Sequence, residues 1–224
     1  TNIENFYGTE IDDFAVEVAI LSMWIAKHQM NREFHEQFGI AIPLIPLKET
    51  GQVRAGNATR VDWNEVCPNN GTDEIYLIGN PPYGGFSGME ASQKEDYAFA
   101  LSGVSYSKKM DYVGLWIFKG SQYISCSRAQ LAFVTTNSIF QGEHVNFIYP
   151  FLRQSKTEIS YAYQSYKWEN NAKVKAGVTV VVFGLRSQSD APKYLFINNI
   201  RQEVDNINLY LSDAPDVYPE KRKT

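Results

Sequence analysis

Asn80-Pro81-Pro82-Tyr83 is the stretch of the 224 residues whose side chains and spacing best suit chemistry. It directly follows Glu74-Ile75-Tyr76-Leu77-Ile78-Gly79, which carries the signature of a short buried strand. In open α/β sheets, ligands sit just outside the carboxyl ends of the strands. Two successive prolines stiffen a turn placed there and remove two backbone donors, so that carbonyl acceptors face the site. The Asn80 oxygen beside those carbonyls can accept protons from a planar amino group, and the Tyr83 ring can stack on the plane bearing it. Together they form a receptor for an exocyclic amine on a flat heterocycle. A lone Pro-Pro pair is more simply a stiff turn with a packed tyrosine. The strand before it, the Asn and the aromatic favour the receptor.

The surrounding chain alternates strand and helix patterns. Residues 5–11 read as a strand, and Asp12 or Asp13 caps a helix over residues 14–30, with Phe14, Val18, Leu21 and Ile25 as its core stripe. Residues 42–47 hold two prolines and read as extended, Gly51 to Gly56 breaks the chain, and a short strand over residues 58–61 ends at Asp62. Residues 84–107 read as a loop with one short helical piece. A helix over 111–124, a strand over 131–136, a helix near 142–152 and strands over 159–163 and 178–183 follow. The last strand is dense in β-branched residues and should be central. The rhythm predicts an α/β layered fold. It fades after Ser187, and residues 187–224 read as a connector leaving the domain.

Composition narrows the function classes. At 44% hydrophobic and 21% charged residues the chain is globular, and no apolar run approaches a membrane span. Cys67 and Cys126 cannot build a thiolate metal site, and His28, His35 and His144 are scattered, so no metal is expected. Both cysteines read as small core or half-buried residues, and His28 and His35 as solvent-facing. The net charge of −4 argues against a uniformly basic nucleic-acid binder. It is uneven, however. Residues 1–104 hold 6 Lys+Arg against 15 Asp+Glu, and residues 105–224 hold 15 against 10, so a basic face is concentrated in the second half. Uneven but solvated surfaces would give the same split.

The Asn-Pro-Pro-Tyr turn resembles the catalytic motif of amino-methylating DNA methyltransferases, and the rest of the chain is similar to the MmeI-type family of type II restriction-modification enzymes. The stretches that carry this likeness are residues 6–12 (Phe-Tyr-Gly-Thr-Glu-Ile-Asp), Gly79 to Tyr83, Asp111-Tyr112-Val113, residues 133–139 with Gln141-Gly142-Glu143, and residues 166–172 (Tyr-Lys-Trp-Glu-Asn-Asn-Ala). They span nearly the whole chain in the family's order.

The resemblance implies a Rossmann-like class I methyltransferase sheet dependent on S-adenosylmethionine, incomplete because the first strand and the glycine-rich loop would lie upstream of Thr1. Residues 1–186 would then be a partial catalytic domain, and residues 187–224 would lead toward a target-recognition domain. On this basis the 224 residues alone should bind the cofactor weakly at most and should not methylate DNA, and exposed sheet edges should favour self-association.

The roles implied are these. Asn80 and the carbonyl of Pro81, stiffened by Pro82, accept the N6 protons of an adenine flipped out of duplex DNA. Tyr83 stacks on that base. Glu10 binds the cofactor's ribose, unless it is merely an acid near a helix start. Asp62 and Trp63 grip the cofactor's adenine, or are a capping Asp beside a packed Trp. Tyr166, Lys167 and Trp168, with Lys173 and Lys175 nearby, stack the flipped base and hold phosphates, or form a solvated turn. Thr136, Asn137 and Ser138 line the pocket or make a polar turn.

A prokaryotic, cytoplasmic setting is implied as well. Methylation of cytosine N4, and a non-catalytic DNA-binding or scaffold domain of the same fold, remain as alternatives. Methylation of protein glutamine or RNA also uses such a turn, but residues 133–143 and 166–172 speak against it.

Overall fold

The computed structural model describes residues 2–40, 51–82, 84–85, 88–167 and 179–217, with only the backbone of Lys167. Tyr83, Trp168, Lys173, Lys175, the proline-containing stretch 42–47 and residues 218–224 lie outside these. The chain divides into two units, Thr1–Pro68 and Asn69–Thr224.

In the first unit, a 3₁₀ turn at Ile3–Asn5 leads into β1 (Tyr7–Glu10), and β1 pairs in parallel with β2 (Gln52–Ala55), Glu10 lying opposite Ala55. Parallel neighbours need a crossover, and α1 (Asp13–Phe38) lies within this one. Asp12 caps α1 by accepting the Ala15 N–H at 2.9 Å, and Gly39, at φ 69°, closes it by donating to the His35 carbonyl. The helix runs two turns beyond the expected end because Asn31 to Phe38 contain no breaker, and the Arg32–Glu36 pair adds an i,i+4 contact at 3.6 Å.

The expected core stripe of α1 is not a core stripe. Phe14 is 78% exposed, and Val18, Leu21 and Ile25 are exposed with it. The shielded residues are Val16, Ala19, Ile20, Met23 and Trp24, a second set at helical spacing. Met23 lies so close to Gly51, beside β2, that a Cβ there would meet its Cε at 2.1 Å. A helix of 26 residues is about 39 Å long, and four-residue strands are about 13 Å, so β1 and β2 can shield one face of α1 and only part of its length.

Two further expectations change places. The Gly51–Gly56 break contains β2. The strand expected at 58–61 is instead a turn, because the Asn57 side chain accepts from the Thr59 N–H at 2.9 Å and its hydroxyl at 2.7 Å. Asp62 then caps the short helix α2 (Trp63–Val66).

The second unit is built on a six-stranded sheet in the order β3-β4-β6-β5-β7-β8. These are Tyr76–Gly79, Gln130–Thr136, Thr157–Lys167 (β5), Thr179–Ser187 (β6), Lys193–Ile197 and Ile200–Val204. β6 is central, as its β-branched composition predicts. It runs antiparallel to β4 and β5 and buries Val180, Val181, Phe183 and Leu185. Phe183 meets the rings of Phe133 and Phe140. Gly184 leaves room for Tyr161, whose ring lies 2.2 Å from where a Cβ would stand. Burial, and after it the neighbouring Tyr163, pushes the Tyr161 phenol upward.

β3 departs from its buried signature. Among the described residues it pairs only with β4, which makes it an edge strand of this sheet, and Ile78 is 81% exposed. Helices α3 (Ala91–Ala100), α4 (Gly114–Tyr123) and α5 (His144–Gln154) complete the unit, with α4 and α5 joined by Phe118 against Phe151.

The stretch expected as a connector adds two strands to the sheet. β7 and β8 form a hairpin turning on Asn198-Asn199, both at positive φ, and Ile207, Leu209 and Leu211 beyond it are buried. Glu158 of β5 holds Arg186 of β6 at 2.9 Å and Lys193 of β7 at 3.1 Å, tying that edge down.

Candidate functional site

Strand directions bring part of the expected site to one edge. β3 and β4 are parallel, β6 reverses, and β5 and β7 run with β4. Asn80, Thr136–Ser138 and Tyr166–Lys167 therefore all emerge at the same carboxyl edge of one sheet. Gly79 ends β3 opposite Phe133, whose ring would stand 3.4 Å from a Cβ. Asn80 is exposed, and no hydrogen bond engages its side chain among the described residues; Pro81 is buried and Pro82 exposed.

Gly84, two residues past Pro82, is fixed twice. Its N–H donates to Asp111 Oδ1 at 2.9 Å, and its carbonyl accepts from the Tyr112 N–H at 3.1 Å.

At the end of β4, the Thr136 and Ser138 hydroxyls share a hydrogen bond at 2.9 Å, and Asn137 reaches Ser165 of β5 at 3.5 Å. Tyr166 is exposed and, with Tyr163, Gln164, Phe196, Asn198 and Asn199, borders a groove of about 580 Å³. A second groove of about 540 Å³ runs along Lys109, Ser138, Gln141 and His144. His144 bridges its walls, with Nδ1 3.0 Å from the Ser138 carbonyl and Nε2 3.2 Å from that of Lys109. No functional role followed from the sequence for Lys109, Asp111 or His144. Asp111 was marked by its place at the start of a helix pattern and by the Asp111-Tyr112-Val113 stretch that carries part of the family likeness.

Glu10, Asp62 and Trp63 belong to the first unit and gather at the carboxyl end of β1 and β2. The Glu10 carbonyl accepts the Gly56 N–H, and Val61 packs against Gly56. Glu10 Oε1 is turned back onto the N–H groups of Ile11 and Asp12 at 2.8 and 3.3 Å. Asp62 Oδ1 caps Asn64 at 2.9 Å, and the half-buried Trp63 is oriented by its Nε1–H to the Ala58 carbonyl at 2.8 Å. Among the described residues no hydrogen bond engages the second oxygen of either carboxylate, which leaves each an acceptor of the kind a hydroxyl or an exocyclic amine can meet.

His28 and His35 are exposed as expected; Cys67 is half-buried and Cys126 exposed. Among the described residues there is no group of three or more side chains that could hold a metal ion, and no helix long and apolar enough to cross a membrane.

The family model for the MmeI DNA-methyltransferase domain matches residues 1–197. The chain belongs to that family. It is 41% identical over 222 residues to DNA methyltransferase A of Bacillus subtilis (strain 168), covering 98% of this chain and 25% of that protein. It is also similar to the solved structure of the Type IIL restriction-modification enzyme MmeI in complex with DNA, with a TM-score of 0.89 and 32% identity, covering 99% of this chain and 30% of that one. The chain thus spans about a quarter of the curated relative's length. Membership in this DNA-methyltransferase family fits a sheet that presents its polar strand ends along one edge.

Proposed function

We propose that this chain supplies the catalytic part of a site-specific DNA methyltransferase, transferring a methyl group from S-adenosylmethionine to N6 of an adenine turned out of duplex DNA. The observation that carries the reading is Asn80-Pro81-Pro82 at the carboxyl end of β3, with an Asn amide that no hydrogen bond engages among the described residues, on the same sheet edge as the ends of β4 and β5. The fold in this reading is a Rossmann-like class I sheet. The cofactor contributes a methyl on sulfonium sulfur, an electrophile that needs no further activation.

The residues do the rest. Asn80 Oδ1 and the Pro81 carbonyl accept the two amine protons and so aim the nitrogen lone pair. Tyr83 stacks on the base, and Tyr166, Lys167 and Trp168 hold its other face and the flanking phosphates. The N–C bond forms as the C–S bond breaks, and the extra proton then leaves the nitrogen. No base needs to remove it beforehand. Glu10 holds the cofactor's ribose, and Asp62 with Trp63 its adenine.

In the full-length protein, Asn80→Ala should cut methyl transfer at least about a hundredfold, the scale of losing oriented acceptors at a reacting group. DNA affinity should stay within about threefold, because phosphate contacts dominate it. Undiminished transfer would exclude the receptor and favour the non-catalytic scaffold. We also propose self-association of the isolated 224 residues through free strand edges such as that of β3; a strictly monomeric mass by light scattering would exclude it.

A further inference from the structure

Two prolines make the Asn80 turn stiff, but they also deprive it of N–H groups with which to anchor itself. Its height above the sheet must be set from outside. Gly84 provides the anchor, and both of its hydrogen bonds run to the segment that opens α4: N–H to Asp111 Oδ1, carbonyl from the Tyr112 N–H.

Asp111 is itself immobilised. It is 7% exposed, its Oδ1 also accepts the Val113 N–H at 3.2 Å, and its carbonyl accepts from Gly114 at 2.9 Å. α3 grips the residues on either side. The buried Tyr97 donates its hydroxyl proton to the Met110 carbonyl at 2.8 Å, and the Tyr112 hydroxyl donates to the buried Asp96. Burial, and after it the nearby Asp111 charge, pushes the Tyr97 phenol far above its ordinary range, so it remains a donor. Met110 also leaves no room at Gly114, where a Cβ would meet its Sδ at 2.6 Å.

Burying a carboxylate is unfavourable unless donors meet it. Here they are the N–H of Val113, the residue just ahead of α4 and near a helix start that favours negative charge, and the N–H of Gly84. Capping α4 alone would not require the reach to Gly84. We propose that Asp111 is a positioning residue for methyl transfer: it fixes the Gly84 backbone and, through it, the placement of Asn80-Pro81-Pro82 against the target amine. This rests on the reading of Asn80 as the amine receptor. Displacing reacting groups by about 1 Å can cost on the order of a hundredfold in rate, whereas Asp111 lies outside any contact with DNA or cofactor that the reading assigns.

The test uses the full-length protein and the variants Asp111→Ser, Asp111→Asn and Asn80→Ala. Ser keeps a short acceptor for the Val113 N–H but cannot reach Gly84; Asn keeps an Oδ1 for both. Asp111→Ser should lower kcat at least about tenfold, with KM for DNA and cofactor within about twofold and an unchanged melting temperature. Asp111→Asn should restore kcat to within about threefold of the natural protein.

The inference is overturned if Asp111→Ser transfers methyl at the natural rate while Asn80→Ala does not, or if its loss follows a lowered melting temperature or a raised KM alone. Asn80→Ala that methylates normally overturns the receptor reading, and this inference with it.

Discussion

The two units treat equally apolar sequence in opposite ways. In the second, β6 lies between β4 and β5, and its apolar residues are covered almost completely. In the first, α1 carries apolar residues around much of its circumference, yet two short strands shield only the Val16–Met23 side. Helical periodicity reports that a face can be buried. It does not report whether anything of sufficient length lies against it. A helix apolar on both sides is the pattern of an element covered twice, so the contrast between the units is a contrast in how much of each apolar face has a partner among the described residues.

The contrast can be broken by paired substitutions followed in denaturant. Phe183→Ala, in the centre of β6, should cost about 3–5 kcal/mol, whereas Phe14→Ala on the open face of α1 should fall within about 0.5 kcal/mol of the natural protein. Equal costs would mean that the Phe14 face is covered in solution. A smaller effect is expected at Glu158, whose 14% exposed side chain serves both Arg186 and Lys193. Glu158→Gln should destabilise the second unit by about 2–3 kcal/mol, below the range of a fully buried pair, because some solvent reaches the cluster. The smallest definite effect is Asp12→Ala, which should cost α1 about 1 kcal/mol in helicity, read by hydrogen exchange at Ala15. That loss should leave β4 and β6 amides unchanged if the units open separately.

What the sequence revealed follows from the range over which each signal acts. The strand pattern of β4 and β6, the Asp12 cap and the Asn-Pro-Pro turn are local and were readable. β2 was hidden because Gln52-Val53-Arg54-Ala55 is short, half polar and framed by glycines. The false strand at residues 58–61 had strand-like residues, but one side chain, Asn57, drew Thr59 into a turn. β7 and β8 were missed in the stretch read as a connector, although apolar residues flank Asn198-Asn199, a pair suited to the positive φ of a tight hairpin. At the site, Asn80 was legible as a motif. The anchoring proposed for Asp111 was not, although Asp111-Tyr112-Val113 carries part of the family likeness, because it depends on a hydrogen bond to Gly84, 27 residues away in sequence, which no local pattern encodes. Of the side chains proposed for the cofactor, Asp62 is a helix cap and Glu10 turns back on its own backbone, so sequence alone could not separate these roles from the proposed ones.

The central claim is that the Asn80 edge holds an adenine amine for methylation. The most direct measurement is the identity of the methylated nucleoside. Duplex DNA treated with the full-length protein and S-adenosylmethionine would be digested and analysed by mass, alongside DNA treated with Asn80→Ala. The account predicts N6-methyladenine from the natural protein and none above background from the variant. N4-methylcytosine, or N6-methyladenine persisting with Asn80→Ala, would contradict it.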